Sequence, residues 1–150
     1  IHLTSTDLGE KSYLESNIVQ NGTAQNLLTE GSVQAKSTHV PQLFIHKTLE
    51  KCLEYLQQNF DYQNAIKANL DNVKSTTSLG SFIDNQLLKK SKNCIVFAAI
   101  GSERGWTDRE RNLLVKNGFT NCSMGSRILR TESASTVAAS IILDKLGYLQ

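Results

Sequence analysis

Apolar residues fall along this chain in short blocks separated by polar or glycine-bearing stretches, and the spacing inside each block predicts its geometry. Ile1 to Thr4 alternates like a short strand, and the polar run Asp7 to Ser16 reads as a loop. Asn17 to Lys36 reads as one helix, with Ile18, Leu27, Leu28 and Val33 available for burial and Gly22 and Gly31 weakening it. Pro41 biases Val40 toward extended backbone, and Gln42 to Ile45 follows as a strand. Leu49, Cys52, Leu53, Leu56 and Phe60 keep helical spacing. Ala65 to Leu70 reads as another strand and Ser75 to Ser78 as a turn. Phe82, Ile83, Leu87 and Leu88 predict a short helix that closes on Lys89, Lys90 and Lys92, cations that complement a helix C-terminus.

The second half is more strongly patterned. Cys94 to Ile100 is apolar at consecutive positions, the mark of a strand in a sheet covered on both faces. Thr107 and Glu110 form a capping-box pattern that starts a helix running to about Asn117, and Gly118 is a natural stop. Phe119 to Met124 is a further short strand. Ala134, Val137, Ala138, Ile141, Ile142 and Leu146 make the apolar stripe of a final helix. Helices alternating with short strands define an α/β fold with a mainly parallel sheet and helices on both faces.

Composition narrows the class. At 150 residues the chain makes one domain, and 39% hydrophobic with 20% charged residues marks a globular fold. No apolar run approaches a membrane span of about 20 residues, and no signal peptide is visible. Cys52, Cys94 and Cys122 are far apart and odd in number, which fits a reduced, cytoplasmic protein. His2, His39 and His46 show no metal-ligand spacing and read as structural or surface residues, so no metal is expected. The net charge of +2 neither demands nor excludes a nucleic-acid partner. The chain opens on a strand at Ile1 without methionine, which suggests a piece of a longer protein.

Two glycine-bearing loops stand at strand ends, Gly101 to Gly105 and Gly125 to Thr131, where open α/β sheets bind ligands. Their backbone N–H groups could meet an adenine edge, a carboxylate or a phosphate; equally, the loops could be tight strand-to-helix turns. Neither GxGxxG nor GxxxxGK[ST] is present, which disfavours nucleotide binding through those signatures. The segments "IGSERGWTDRERNLLVKNGF" and "SMGSRILRTESAS" resemble the RsmE-like ribosomal RNA uridine methyltransferases of the SPOUT superfamily, whose pattern is close to IGPEGG[FW], a helix, GF, then LGxRILRTETA. Upstream, "EGSVQAKSTHVP" resembles the family's EAxxQSxRxxVP through Glu30, Gln34, Val40 and Pro41. Ser102, Arg104, Gly31 and Ser37 depart from the pattern, standing for proline, glycine, alanine and arginine.

The resemblance implies a C-terminal trefoil knot, S-adenosyl-L-methionine as cofactor and a homodimer. It implies methylation of a uridine at N3 in small-subunit ribosomal RNA. By the same resemblance Ile100, Gly101, Glu103, Gly105, Met124, Gly125, Ile128, Leu129 and Thr131 form the cofactor pocket. Residues 1–150 then correspond to a SPOUT methyltransferase domain without its first elements and without the family's N-terminal PUA-like RNA-binding domain. Arg130 is the candidate catalytic cation, steadying a developing uridine anion or an RNA phosphate, and Arg127 and Lys11 are candidate RNA contacts. The bland alternative pairs both arginines with carboxylates across a dimer. Lys89, Lys90 and Lys92 read as a solvated helix end before a phosphate track, Glu132 as a stabilising charge near a helix start, and Trp106 as a packing residue before a base stacker. Another RNA target, or a binding module without catalysis, stays open at this level.

Overall fold

The computed structural model describes residues 1–9, 15–90 and 93–149. Its named strands pair only in parallel. β1 (His2–Thr4) and β2 (Phe44–His46) form a two-stranded sheet, and β3 (Ile66–Leu70), β4 (Thr77–Ser78), β5 (Val96–Ile100) and β6 (Thr120–Ser123) form a second in the order β4-β6-β3-β5. Most of these parallel neighbours need a long crossover. α1 (Asn17–Gln20) and α2 (Thr23–Gln34) lie between β1 and β2, and α3 (Leu49–Asn59) leads to β3. α4 (Leu79–Leu87) leads to β5, α5 (Asp108–Lys116) to β6, and α6 (Thr131–Leu146) follows the last strand.

The period of two along each strand divides the core in two. Ile66, Ala68 and Leu70, with Val96, Ile100 and Cys122, pack with Leu79, Phe82 and Ile83 of α4 and Ala138 of α6. Phe97 and Ala99 of β5 belong to the other cluster, with Leu53 and Leu56 of α3, Leu114 of α5, Tyr62, Trp106 and Phe119. The expected layering, helices on both faces of a parallel sheet, is what the chain forms. Among the described residues no helix is long and apolar enough to cross a membrane.

Several expectations need correction. The helix read over Asn17 to Lys36 is two helices, broken where Gly22 takes φ 75°. Ile18, Leu27 and Val33 are exposed, and the inward positions of α2 are Ala24, Leu28 and Ser32, spaced four residues apart. The turn expected at Ser75 to Ser78 supplies β4 instead, because Thr77 and Ser78 pair with Cys122 and Ser123. β5 is an edge strand, so Ala98 is exposed and the run Cys94 to Ile100 is not fully covered. The stripe expected in α6 does face inward: Ala134 and Ala138 are buried, and Ile141 and Ile142 pack against the cluster that holds α4.

The capping box at α5 is present in full: Thr107 Oγ1 accepts from the Glu110 amide at 3.2 Å, and Glu110 accepts from the Thr107 amide at 2.8 Å. Glu110 is fully buried and also accepts the Asp7 amide at 2.8 Å, which ties the segment after β1 to the start of α5. Arg109 spans Asp7 and Glu50 on the outside of this joint. Its hydrogen bond, reinforced by that of Thr107, holds the Asp7 carboxyl down to about 2.

Candidate active site

Three loops leave the sheet at the carboxyl ends of β3, β5 and β6 and converge on one cavity of about 200 Å³. The first is Asp71 to Val73. Asp71 is buried, its amide donates to the Cys122 carbonyl at 3.0 Å, and its carboxylate accepts the Val73 amide at 2.9 Å. The second is a tight turn in which the Gly105 amide donates to the Ser102 carbonyl at 2.8 Å. Gly101 sits close under the turn: a Cβ would lie 3.1 Å from the Gly105 carbonyl carbon and 3.2 Å from the Trp106 ring, so the turn would have to give by a few tenths of an ångström. Gly105 is required by conformation, with φ 74°. The third loop runs from Met124 through Gly125, φ 108°, to the start of α6. Asn72 Nδ2 donates to the Arg127 carbonyl at 2.9 Å and pins the first loop to the third.

Every residue assigned to the cofactor by resemblance lines this cavity except Gly125, whose neighbour Met124 does. Arg127, expected on RNA, lines it too, and Ile128 is 87% exposed at its mouth. Arg130 stands outside the lining as the extended N-cap residue of α6. Its exposed side chain makes no hydrogen bond or ion pair among the described residues, and neither does that of Arg127. Lys11 and Lys92 lie outside the described residues. Lys90 donates to the Asn64 and Ala65 carbonyls at 2.6 and 3.3 Å, a structural tether rather than a free cation. Trp106 is buried in the core that contains α3 and α5, and its Nε1–H has no protein acceptor among the described residues.

Sequence reasoning missed Asp71, Asn72 and Arg111, all of which line the cavity. Arg111 Nε donates to Asp71 at 2.5 Å and Nη1 to Asp108 at 3.1 Å, with the Arg111 side chain 12% exposed and that of Asp71 4%. The bond to Asp71 raises the Arg111 pKa further above its ordinary value. A polar Asp-Asn pair directly after the predicted strand Ala65 to Leu70 was the available signal, because the strand-end rule applies to that strand as well. Nothing local in sequence couples Asp71 to Arg111, forty residues on.

A parallel α/β sheet with three convergent loops at its carboxyl edge defines a ligand-binding α/β domain. Residues 1–143 match the RNA methyltransferase domain family, and the chain belongs to it. It is 35% identical over 139 residues to ribosomal RNA small subunit methyltransferase E 1 of Borreliella burgdorferi, covering 92% of this chain and 52% of that protein. To ribosomal RNA small subunit methyltransferase E of Treponema pallidum it is 35% identical over 144 residues, covering 95% and 51%. The chain thus spans about half the length of these curated relatives. Its fold matches that of Neisseria gonorrhoeae ribosomal RNA small subunit methyltransferase E bound to S-adenosyl methionine, with TM-score 0.63 and 19% identity, over 92% of this chain and 50% of that one.

Removing the Arg111 side chain strands the buried Asp71 carboxylate. Arg111→Met is expected to cost about 3 kcal/mol in chemical denaturation, the scale of breaking a buried pair from one side. Asp71→Asn in the same chain should recover a large part of that loss. A cost below about 1 kcal/mol for Arg111→Met, the range of an exposed pair, would show that the pair is solvated.

Proposed function

We propose that this chain is the catalytic domain of an S-adenosyl-L-methionine-dependent RNA methyltransferase that methylates N3 of a uridine in small-subunit ribosomal RNA. The carrying observation is the convergence of the Gly101 to Gly105 and Met124 to Thr131 segments on one cavity at the sheet's carboxyl edge. The relatives' names support the RNA substrate, and the Neisseria structure's bound ligand supports the cofactor. The cavity suits that cofactor chemically: Leu70, Ile100, Met124 and Leu129 offer apolar surface, and a Cβ at Gly101 would crowd the turn that forms one wall. When bound, S-adenosyl-L-methionine supplies an activated methyl group.

The rest falls to the protein. The loops orient, which is the main catalytic demand of an in-line transfer. Uridine N3 carries a proton and must lose it, so a fixed cation at the cavity mouth favours the developing anion. Arg130 suits that role, because it is exposed, unpaired among the described residues and flanked by the lining residues Leu129 and Thr131. Arg127 suits an RNA backbone contact, and Lys11 remains a candidate for one. A second cavity of about 500 Å³, walled by Thr4, Thr6 and Ile18, shares Ile100, Gly101 and Glu103 with the first and offers room for a base.

The same reading includes the SPOUT trefoil knot, a homodimer and a cytoplasmic setting. Supporting the knot, β6 lies between β3 and β4, so the segment joining those two strands must cross the end of β6. Supporting the dimer, Leu143, Tyr148 and Leu149 are exposed at the chain's end, at 39%, 65% and 55%. In light scattering at micromolar concentration the chain should run at twice its 16.6 kDa mass; a monomer at all concentrations would refute the dimer.

Calorimetry should detect S-adenosyl-L-methionine binding, and Gly105→Trp should abolish it by blocking the turn and forcing an L side chain into positive φ. Equal binding by parent and variant would put the cofactor elsewhere. Arg130→Ala, assayed in the full-length protein on ribosomal RNA, should bind cofactor normally while methylation falls by roughly 10²-fold, the scale of one lost positioned donor. Arg130→Lys keeps the charge without the planar fork and should recover part of the rate. Unchanged turnover in Arg130→Ala would remove the arginine from the chemistry, and cofactor binding without turnover on any RNA by the parent would favour a binding module.

A further inference from the structure

A second constellation of reactive side chains lies away from this cavity. In the parallel register of the small sheet His2 stands opposite Phe44, and the strand period places Phe44 and His46 on one face. That face meets α3, where Tyr55 packs against His2, Phe44 and His46. Cys52, one helical turn before Tyr55, is 6% exposed on the same side. His2 Nδ1 and His46 Nε2 are 2.9 Å apart, and with Cys52 Sγ each ligand atom lies within 4.8 Å of the others. The ring centroids are 5.2 Å apart at an interplanar angle of 17°, so the two nitrogens meet edge to edge.

We propose that His2, His46 and Cys52 form a three-ligand binding site for a transition-metal dication of the zinc class. Two imidazole nitrogens and a thiolate are a borderline-soft donor set, suited to zinc and unsuited to magnesium or calcium. Tetrahedral zinc with Zn–N bonds of about 2.0–2.1 Å sets two nitrogens about 3.3 Å apart. The rings part by a few tenths of an ångström from their 2.9 Å hydrogen bond and turn their lone pairs toward the ion, and Cys52 Sγ, within 4.8 Å of both, closes toward the separation of about 3.5 Å that these bond lengths set. The proton now shared between the rings moves to a ring nitrogen that does not ligate, and the Cys52 thiol releases its proton to solvent. One proton therefore leaves for each ion bound, and water completes the fourth position. Two-stranded sheets are marginal on their own. An ion here would join β1, β2 and α3 at one point and fix the small sheet to the core.

The site is tested with cobalt(II) as a spectroscopic stand-in, on the untagged chain after removal of metal by chelation. One equivalent should bind, with visible d–d absorption and a near-ultraviolet thiolate-to-cobalt charge-transfer band. Zinc should displace it and raise the melting temperature. His2→Gln and His46→Gln should each weaken binding at least tenfold and lose the zinc-dependent rise in melting temperature. Cys52→Ala should lose the charge-transfer band. No cobalt spectrum in the parent, or parent-like affinity in both histidine variants, overturns the site. Persistence of the band in Cys52→Ala assigns the thiolate elsewhere and overturns it too. If Cys52→Ala does not fold, the two histidine variants and the parent titration decide.

Discussion

The structure turns on the insertion of β6 between β3 and β4. A strand formed late in the chain occupies an interior place in a parallel sheet, hydrogen-bonded on both sides. Leu70 and Thr77 flank Cys122, and the Asp71 and Thr76 amides donate to Cys122 and Asn121 carbonyls. Because all four strands run the same way, the insertion adds the end of β6 to those of the directly paired β3 and β5 at one edge. The cavity is a consequence: its walls are the segments that must leave the sheet there. β4 itself is two residues long and exists only because β6 offers it a partner.

That dependence explains what was legible in the sequence. Local signals were strong where one residue's chemistry settles a backbone conformation. The Thr107 and Glu110 capping box, the helical spacing from Leu49 to Leu56 and the glycine turn at Gly101 to Gly105 all formed as their patterns indicated. The fold class was legible because alternation of helix and strand admits few packings. The break at Gly22 was not. Glycine in a helical pattern is tolerated or terminal depending on what the next turn packs against, and α2 packs through Ala24, Leu28 and Ser32 rather than through its larger apolar residues. Thr77 and Ser78 carried turn chemistry, and a tertiary partner overrode it.

The site was half legible for a related reason. Its two glycine loops carry their own signatures, and resemblance assigned them residue by residue. Its third wall depends on pairing across distance: Asp71 with Arg111, Asn72 with Arg127. Such pairs leave no local periodicity. The same holds for His2 and His46, 44 positions apart in sequence and in hydrogen-bond contact in space. Spacing rules for metal ligands find sites built on one hairpin or one helix, and they do not see ligands assembled by a parallel crossover.

Glu110 shows how closely the cavity's second loop is bound to the rest of the fold. Its side chain closes the N-terminus of α5, the helix that follows the Gly101 to Gly105 turn, and the same side chain receives the Asp7 amide from the segment after β1. A buried carboxylate carries a large desolvation cost, which only several donors offset. Here the donors come from both sides of a joint: the Thr107 amide and the Asp7 amide. Losing the Asp7 segment would therefore remove one of the hydrogen bonds that satisfy Glu110, and with it part of the support for the start of α5. The cavity loop and the segment after β1 are in this way held by one group. Placement of the Gly101 to Gly105 wall and placement of the segment after β1 are coupled through this one side chain.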